Sequence, residues 1–162
     1  MASLDGAPGA LTIADDDPRS SDVLALLEEH LADMYATSPA ESVHALDPDA
    51  LAAPGIHFVA ARADDGTLLG CAALKDLGGG EVELKSMRTT AAARGRGVGR
   101  ALLEHLIGLA TDRGLRRINL ETGTEDYFAP ARALYLSRGF RECPPFADYG
   151  LDHHSVFLTL EL

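Results

Sequence analysis

Residues 93–102 read ARGRGVGRAL, in which Gly95, Gly97 and Gly99 alternate with Arg94, Arg96, Val98 and Arg100. A strand that feeds such a loop and then a helix presents unpaired backbone N–H groups at the positive end of a helix dipole. Glycine lets a ligand come close to the backbone and permits positive φ, and arginine forks add paired contacts to phosphate oxygens. A pyrophosphate is the guest that fits this chemistry; a tight turn with solvated arginines is the plainer alternative for the loop taken alone. Two other phosphate loops are excluded by inspection. A Walker loop ends in Gly-Lys-Ser/Thr, whereas Gly99 is followed by Arg100 and Ala101. The dinucleotide fingerprint needs a third glycine where Arg100 stands, so neither ATP hydrolysis nor nicotinamide chemistry is favoured.

Such a loop needs a strand before it and a helix after it, and the chain supplies both. Ile56 to Ala63 and Thr67 to Leu77 read as strands around the turn Asp64-Asp65-Gly66, and Gly78 to Gly80 turns into a third strand over residues 81–89. Regular alternation in that strand puts Val82, Leu84 and Ser86 on one face and Glu81, Glu83, Lys85 and Met87 on the other. Beyond the loop, Val98, Ala101, Leu102, Leu106, Leu109 and Ala110 form a helical stripe that Gly114 ends. Residues 116–123 alternate as a strand, Pro130 to Arg138 read as a helix with proline in its first turn, and residues 154–162 close the chain as a last strand. Near the start, Leu11 to Ala14 form a short strand, and Val23, Leu26, Leu27, His30, Leu31 and Met34 mark an amphipathic helix. The segments Ser38 to Gly55 and Cys143 to His153 read as loops, the first with at most short helical pieces, and are free to shape a substrate pocket with Phe146 and Tyr149. This order of elements predicts an α/β (α+β) fold with a mixed sheet and helices on both faces.

Composition sets bounds on what that fold does. A chain of 162 residues fits one domain, here residues 11–162 behind a small-residue leader at 1–10, and its 46% hydrophobic and 24% charged content is that of a globular protein. No apolar run approaches the ~20 residues of a bilayer span, and no basic-then-apolar start is present, which predicts a cytoplasmic protein without a membrane partner. Cys71 and Cys143 suit a reducing compartment as small buried hydrophobes. The six histidines lack metal-ligand spacing, His153 and His154 being placed on opposite sides of a strand, so no metal is expected. The net charge of −11 argues against nucleic acid. It is uneven: residues 1–50 carry eleven acids and one base, Arg19, whereas residues 85–100 carry Lys85, Arg88, Arg94, Arg96 and Arg100 and no acid. A small polyanion can therefore bind locally.

Arg94-x-x-Gly97-x-Gly99 after a strand, with ALYLSRGF at residues 133–140, resembles the GNAT superfamily of acetyl-CoA-dependent N-acyltransferases, and the order of elements fits that family over nearly the whole chain. Leu134, Tyr135, Gly139 and Phe140 match its second motif. The resemblance implies a GNAT-like acyl-CoA N-acyltransferase fold, a mostly antiparallel central sheet with one splayed parallel strand pair. It implies acetyl-CoA as co-substrate, with pantetheine in that gap on the backbone of Met87 to Thr89, which includes Arg88. The pyrophosphate would rest on the amides of Gly95, Arg96, Gly97, Val98, Gly99 and Arg100, beside Arg94. Tyr135 would protonate the departing thiolate. Many members carry asparagine seven residues before that tyrosine; Phe128 stands there, which puts the asparagine's contact with pantetheine in doubt. Homodimers are frequent in such families.

Direct transfer needs a neutral amine, and an alkylammonium holds its proton up to about pH 10.4, so a base must remove it. Glu83 is the first candidate, read as two pleats from Met87 on the same face, and Glu121 on the neighbouring strand is the second. A backbone N–H near Met87 would hold the oxyanion. The expected activity is acetyl transfer to the amine of a small-molecule acceptor. The alternatives are a regulatory module that binds CoA without transfer, and acetylation of protein N-termini or lysines.

Overall fold

The computed structural model describes residues 10–162 apart from Leu46, so nearly all of the leader expected at 1–10 lies outside the described residues. The elements are β1 (Leu11–Asp15), α1 (Ser21–Thr37), α2 (Pro48–Leu51), β2 (Ile56–Ala63), β3 (Leu68–Gly78), β4 (Glu81–Thr89), α3 (Val98–Asp112), β5 (Arg117–Gly123), α4 (Ala129–Ser137), β6 (Arg141–Glu142) and β7 (Ser155–Glu161). They agree with the periodicities to within a residue or so at most ends. The strands form one sheet in the order β1-β2-β3-β4-β5-β7-β6, antiparallel throughout except for β4 and β5.

Apolar faces on both sides of the sheet explain the layers. On one face, Val23, Leu26 and Leu27 of α1 and Leu51 of α2 pack on Phe58, Ala60, Leu68 and Ala73. On the other, Val98, Leu102, Leu106 and Ile107 of α3 cover Val59, Ala72, Leu74, Val82 and Ile118. Fully burying one such leucine is worth about 1.5–3 kcal/mol, so these stripes fix both helices against the sheet.

Four local features depart from the expected pattern. β6, two residues paired with Thr159 and Leu158 of β7, is too short to show any periodicity. His153 and His154 lie in the turn before β7 rather than in a strand, and their rings meet at a tilt with centroids 4.1 Å apart. Cys71 is fully buried, as a small hydrophobe would be, but Cys143 is partly exposed.

The fourth departure is in β4. Cys71 pairs with Arg88 while Ala73 pairs with Lys85, so Ser86 and Met87 together oppose Ala72, and Ser86 takes φ +55°. This is a β-bulge, and the extra residue reverses the alternation beyond it. Met87 therefore packs with the α3 core rather than beside Glu83, and Arg88 turns to the α1 face instead. Glu83 and Met87 do not share a face.

Candidate active site

β4 and β5 are paired only where Glu81–Glu83 meet Arg117–Asn119. Past Glu83 the two strands part, and a cavity opens between Leu84–Met87 on β4 and Leu120–Gly123 on β5. The facing backbone of both strands has no partner strand there, so its peptide groups are available to a guest lying along the gap. Phe128, Ala131 and Tyr135 form one wall of the cavity, His30 and Met34 of α1 another, and Ser38, Ser42, His44 and His154 its far end.

The glycine loop stands beside this gap. Gly97 is the N-cap of α3 with φ +85°, where an L side chain is strained, and its carbonyl accepts the first helical bond from Ala101 at 3.0 Å. The amides of Gly95 to Arg100 make no hydrogen bond among the described residues, which leaves a row of free donors at the helix start. A Cβ at Gly95 or Gly97 would meet nothing within 4 Å, so the approach is open. Val98 is buried and anchors the helix, and Gly99 packs close to Leu134 and Thr89. Arg94, Arg96 and Arg100 are exposed; Arg94 lies 3.7 Å from Glu29, and Arg100 donates to Ser137 at 3.1 Å. These groups fit a diphosphate.

Arg88 differs from the other basic residues of its run. Its side chain is 6% exposed and donates to Glu29, to Asp33 at 2.6 Å and to the Tyr127 hydroxyl. It clamps α1 and the Asp126–Phe128 turn onto β4, so only its backbone can serve a ligand in the gap. Phe128 is nearly buried, its ring pressed onto Gly123, and presents an apolar surface where the resembled family has an amide.

Tyr135 is buried, tilted against Phe140 with ring centroids 5.7 Å apart, and lines the cavity. Burial holds its phenol above the ordinary tyrosine range, so it keeps its proton at neutral pH. Glu83 and Glu121 both reach the cavity, but their surroundings differ. Glu83 accepts from the Tyr149 hydroxyl at 2.5 Å and from Lys85 Nζ at 3.2 Å. Glu121 accepts from Ser155 at 2.8 Å, and burial pushes its carboxyl up to about 7. His30, read from the sequence as part of a core stripe, lines the cavity; burial and the nearby Arg88 guanidinium lower it to about 4, so it is neutral at pH 7.

The expected pocket loops divide. Ser38, Ser42, His44 and Ala45 do line the cavity, whereas Phe146 and Tyr149 do not: they pack against Phe157, edge-on and tilted, with ring centroids 5.9 and 5.5 Å away. The contacts of Lys85, Arg88 and Tyr149 join distant segments and leave no trace in spacing. Among the described residues no group of His, Cys, Asp and Glu forms a metal cage, and no helix is long and apolar enough to cross a membrane.

Comparison with known proteins agrees with this geometry. Residues 23–140 match the Acetyltransferase (GNAT) family. YsnE of Bacillus subtilis (strain 168), an uncharacterized N-acetyltransferase, is 48% identical over 91% of this chain and 97% of its own length. An IAA acetyltransferase of Azospirillum brasilense is 43% identical over 94% of this chain and 98% of its own. A solved structure from Klebsiella pneumoniae subsp. pneumoniae, assigned to the acyl-CoA N-acyltransferases, superposes with a TM-score of 0.77 at 28% identity, covering 94% of this chain and 97% of that one.

Proposed function

The chain belongs to the acetyltransferase (GNAT) family, and from that premise we propose that it moves the acetyl group of acetyl-CoA to the amine of a small molecule. The observation that carries this function is the parting of β4 and β5 beyond Glu83, beside a helix that starts on unpaired amides. The pyrophosphate of acetyl-CoA rests on the amides of Gly95 to Arg100, with Arg94, Arg96 and Arg100 within reach of further phosphate oxygens. Its pantetheine arm bonds to the β4 backbone at Met87 and Thr89 and passes Phe128. The thioester then enters the cavity that Glu83, Glu121 and Tyr135 share. A cavity carboxylate takes the amine proton, a peptide N–H near Met87 steadies the oxyanion, and Tyr135 gives its proton to the thiolate.

The acceptor end supports a small molecule rather than a protein chain. Ser42 donates to Asp152 at 2.5 Å, Ser38 donates to Glu125 at 3.3 Å, and His154 meets the same Glu125 at 2.9 Å. These links tie three loops together across the mouth, where a peptide acceptor would need an open groove. The net charge of −11 fits a cationic amine better than a nucleic acid, and two unlinked cysteines fit a cytoplasmic setting. The scheme calls on no metal.

Thiol release from acetyl-CoA, followed across small amines, N-terminal peptides and IAA, the compound in the Azospirillum relative's name, tests this function. Turnover is expected with small primary amines and not with peptides. Tyr135→Phe is expected to lower kcat about tenfold to a hundredfold with the dissociation constant for CoA unchanged, because thiolate is already a fair leaving group at neutral pH. Tight CoA binding with no thiol release from any acceptor would contradict transfer and favour a binding module.

A further inference from the structure

We propose that Glu121, and not Glu83, takes the proton of the acceptor amine, while Glu83 anchors a strap through Lys85 and Tyr149 that holds the acceptor loops in place. This assignment rests on the acetyltransferase function above.

The two carboxylates line one cavity but have different freedom. The Glu83 side chain is 3% exposed, and its Oε2 accepts from both Tyr149 and Lys85. Lys85 has three N–H donors and uses all of them, on Glu83, on the Tyr149 hydroxyl at 3.0 Å and on the His44 carbonyl at 3.2 Å. A proton moved onto Glu83 would remove the charge opposite an ammonium that is itself 8% exposed. Uncompensated buried charge is costly, so the Glu83 carboxylate is committed to Lys85 and Tyr149 rather than to an incoming amine. The same three side chains join β4 to the segment that carries His44, which lines the far end of the cavity, and to the loop that carries Tyr149.

Glu121 lies where β5 has already left β4. Its only hydrogen bond among the described residues is from Ser155 to Oε2; Oε1 has no partner and is not sealed from solvent. The group is lifted to about 7 chiefly by burial, with Glu83 and Asp152 pushing the same way and Ser155 and Lys85 opposing. The other titratable groups on the cavity are His30, His44, Tyr135 and His154. A base poised near the working pH serves proton transfer best. Glu121 takes one proton from the acceptor ammonium and later returns it to water. The freed nitrogen lone pair forms the C–N bond, the C–S electron pair leaves on sulfur, and the nitrogen's second proton reaches that sulfur by way of Tyr135.

The test compares the full-length chain with Glu121→Gln, Glu121→Asp, Glu83→Gln and Tyr149→Phe in the thiol-release assay between pH 5.5 and 9. Wild-type kcat/KM is expected to rise with pH through about 7. Glu121→Gln loses about a hundredfold of rate and this rise, with CoA affinity unchanged. Glu121→Asp keeps the rise at a lower rate. Glu83→Gln and Tyr149→Phe keep the rise and raise the acceptor KM more than they lower kcat. Thermal melts give a second readout. A raised carboxyl favours the folded state below about pH 4.5 and loses that contribution as pH rises through 7, so Glu121→Gln gains in Tm over wild type between pH 5 and pH 8. An active wild type whose pH limb survives Glu121→Gln, or vanishes in Glu83→Gln, overturns this assignment alone. A wild type without thiol release overturns the acetyltransferase function and this assignment with it.

Discussion

Gly97→Val raises the dissociation constant for CoA by at least about a hundredfold, as read by titration calorimetry. The residue sits at φ +85°, where a side chain costs about 1–2 kcal/mol and a β-branched one more. Relief of that strain rotates the amides of Val98, Gly99 and Arg100, which are aligned only because Gly97 turns the chain into α3. Hydrogen bonds from such amides to a charged phosphate contribute about 1.5–3 kcal/mol each, and 1.4 kcal/mol is tenfold in affinity, so losing two gives the stated effect. Gly66→Val is the control: it carries equal strain, φ +89° with open space around it, in the β2–β3 turn. It is expected to leave CoA affinity within threefold. If Gly97→Val does the same, the helix start does not hold the diphosphate.

Gly70→Val lowers stability by about 3 kcal/mol, an overpacking cost at the upper end of the usual range, and lowers Tm by roughly 6–12 °C for a chain of this size. A Cβ there would lie 2.8 Å from the Arg88 carbonyl oxygen and 3.1 Å from both Leu102 and Val98. The first of these is backbone in a paired strand, next to the bulge, and cannot move without disturbing the β3–β4 register. The others are buried side chains at the start of α3. Gly70 is therefore the point where β3 lets both the bulged strand and the start of α3 come close. Gly108→Val, on the exposed side of α3 with nothing within 4 Å, is expected to cost less than about 1 kcal/mol in a thermal melt. Equal losses at both positions would mean that the close approach at Gly70 has no energetic weight.

The sequence made most of the fold readable because the apolar strand runs bounded by turn residues, from Ile56 to Leu77, and the helical stripe from Val98 to Ala110 are both strong. It could not reveal the bulge at Ser86, since no glycine or asparagine marks the positive φ. That single extra residue reassigned Met87 and Arg88 to opposite faces, and with them the expected neighbourhood of Glu83. The glycine turn into α3 was legible because glycines between arginines have few physical uses, and the helix that brings Tyr135 to the cavity because it resembles a known motif. Glu83 and Glu121 could both be named, but Glu83 ranked first there on a face shared with Met87, which the bulge removes. Their difference lies in Lys85, Tyr149 and Ser155, which come from separate segments and meet them only in the folded chain.

The most direct test of the central claim follows backbone amide resonances as CoA is added to the full-length chain. If a diphosphate-bearing thioester lies between β4 and the start of α3, the amides of Gly95, Gly97, Val98, Gly99 and Arg100 shift together, and those of Met87 and Thr89 shift with them. If CoA fails to bind, or binds while these amides stay unchanged and others move, the account of the site is wrong.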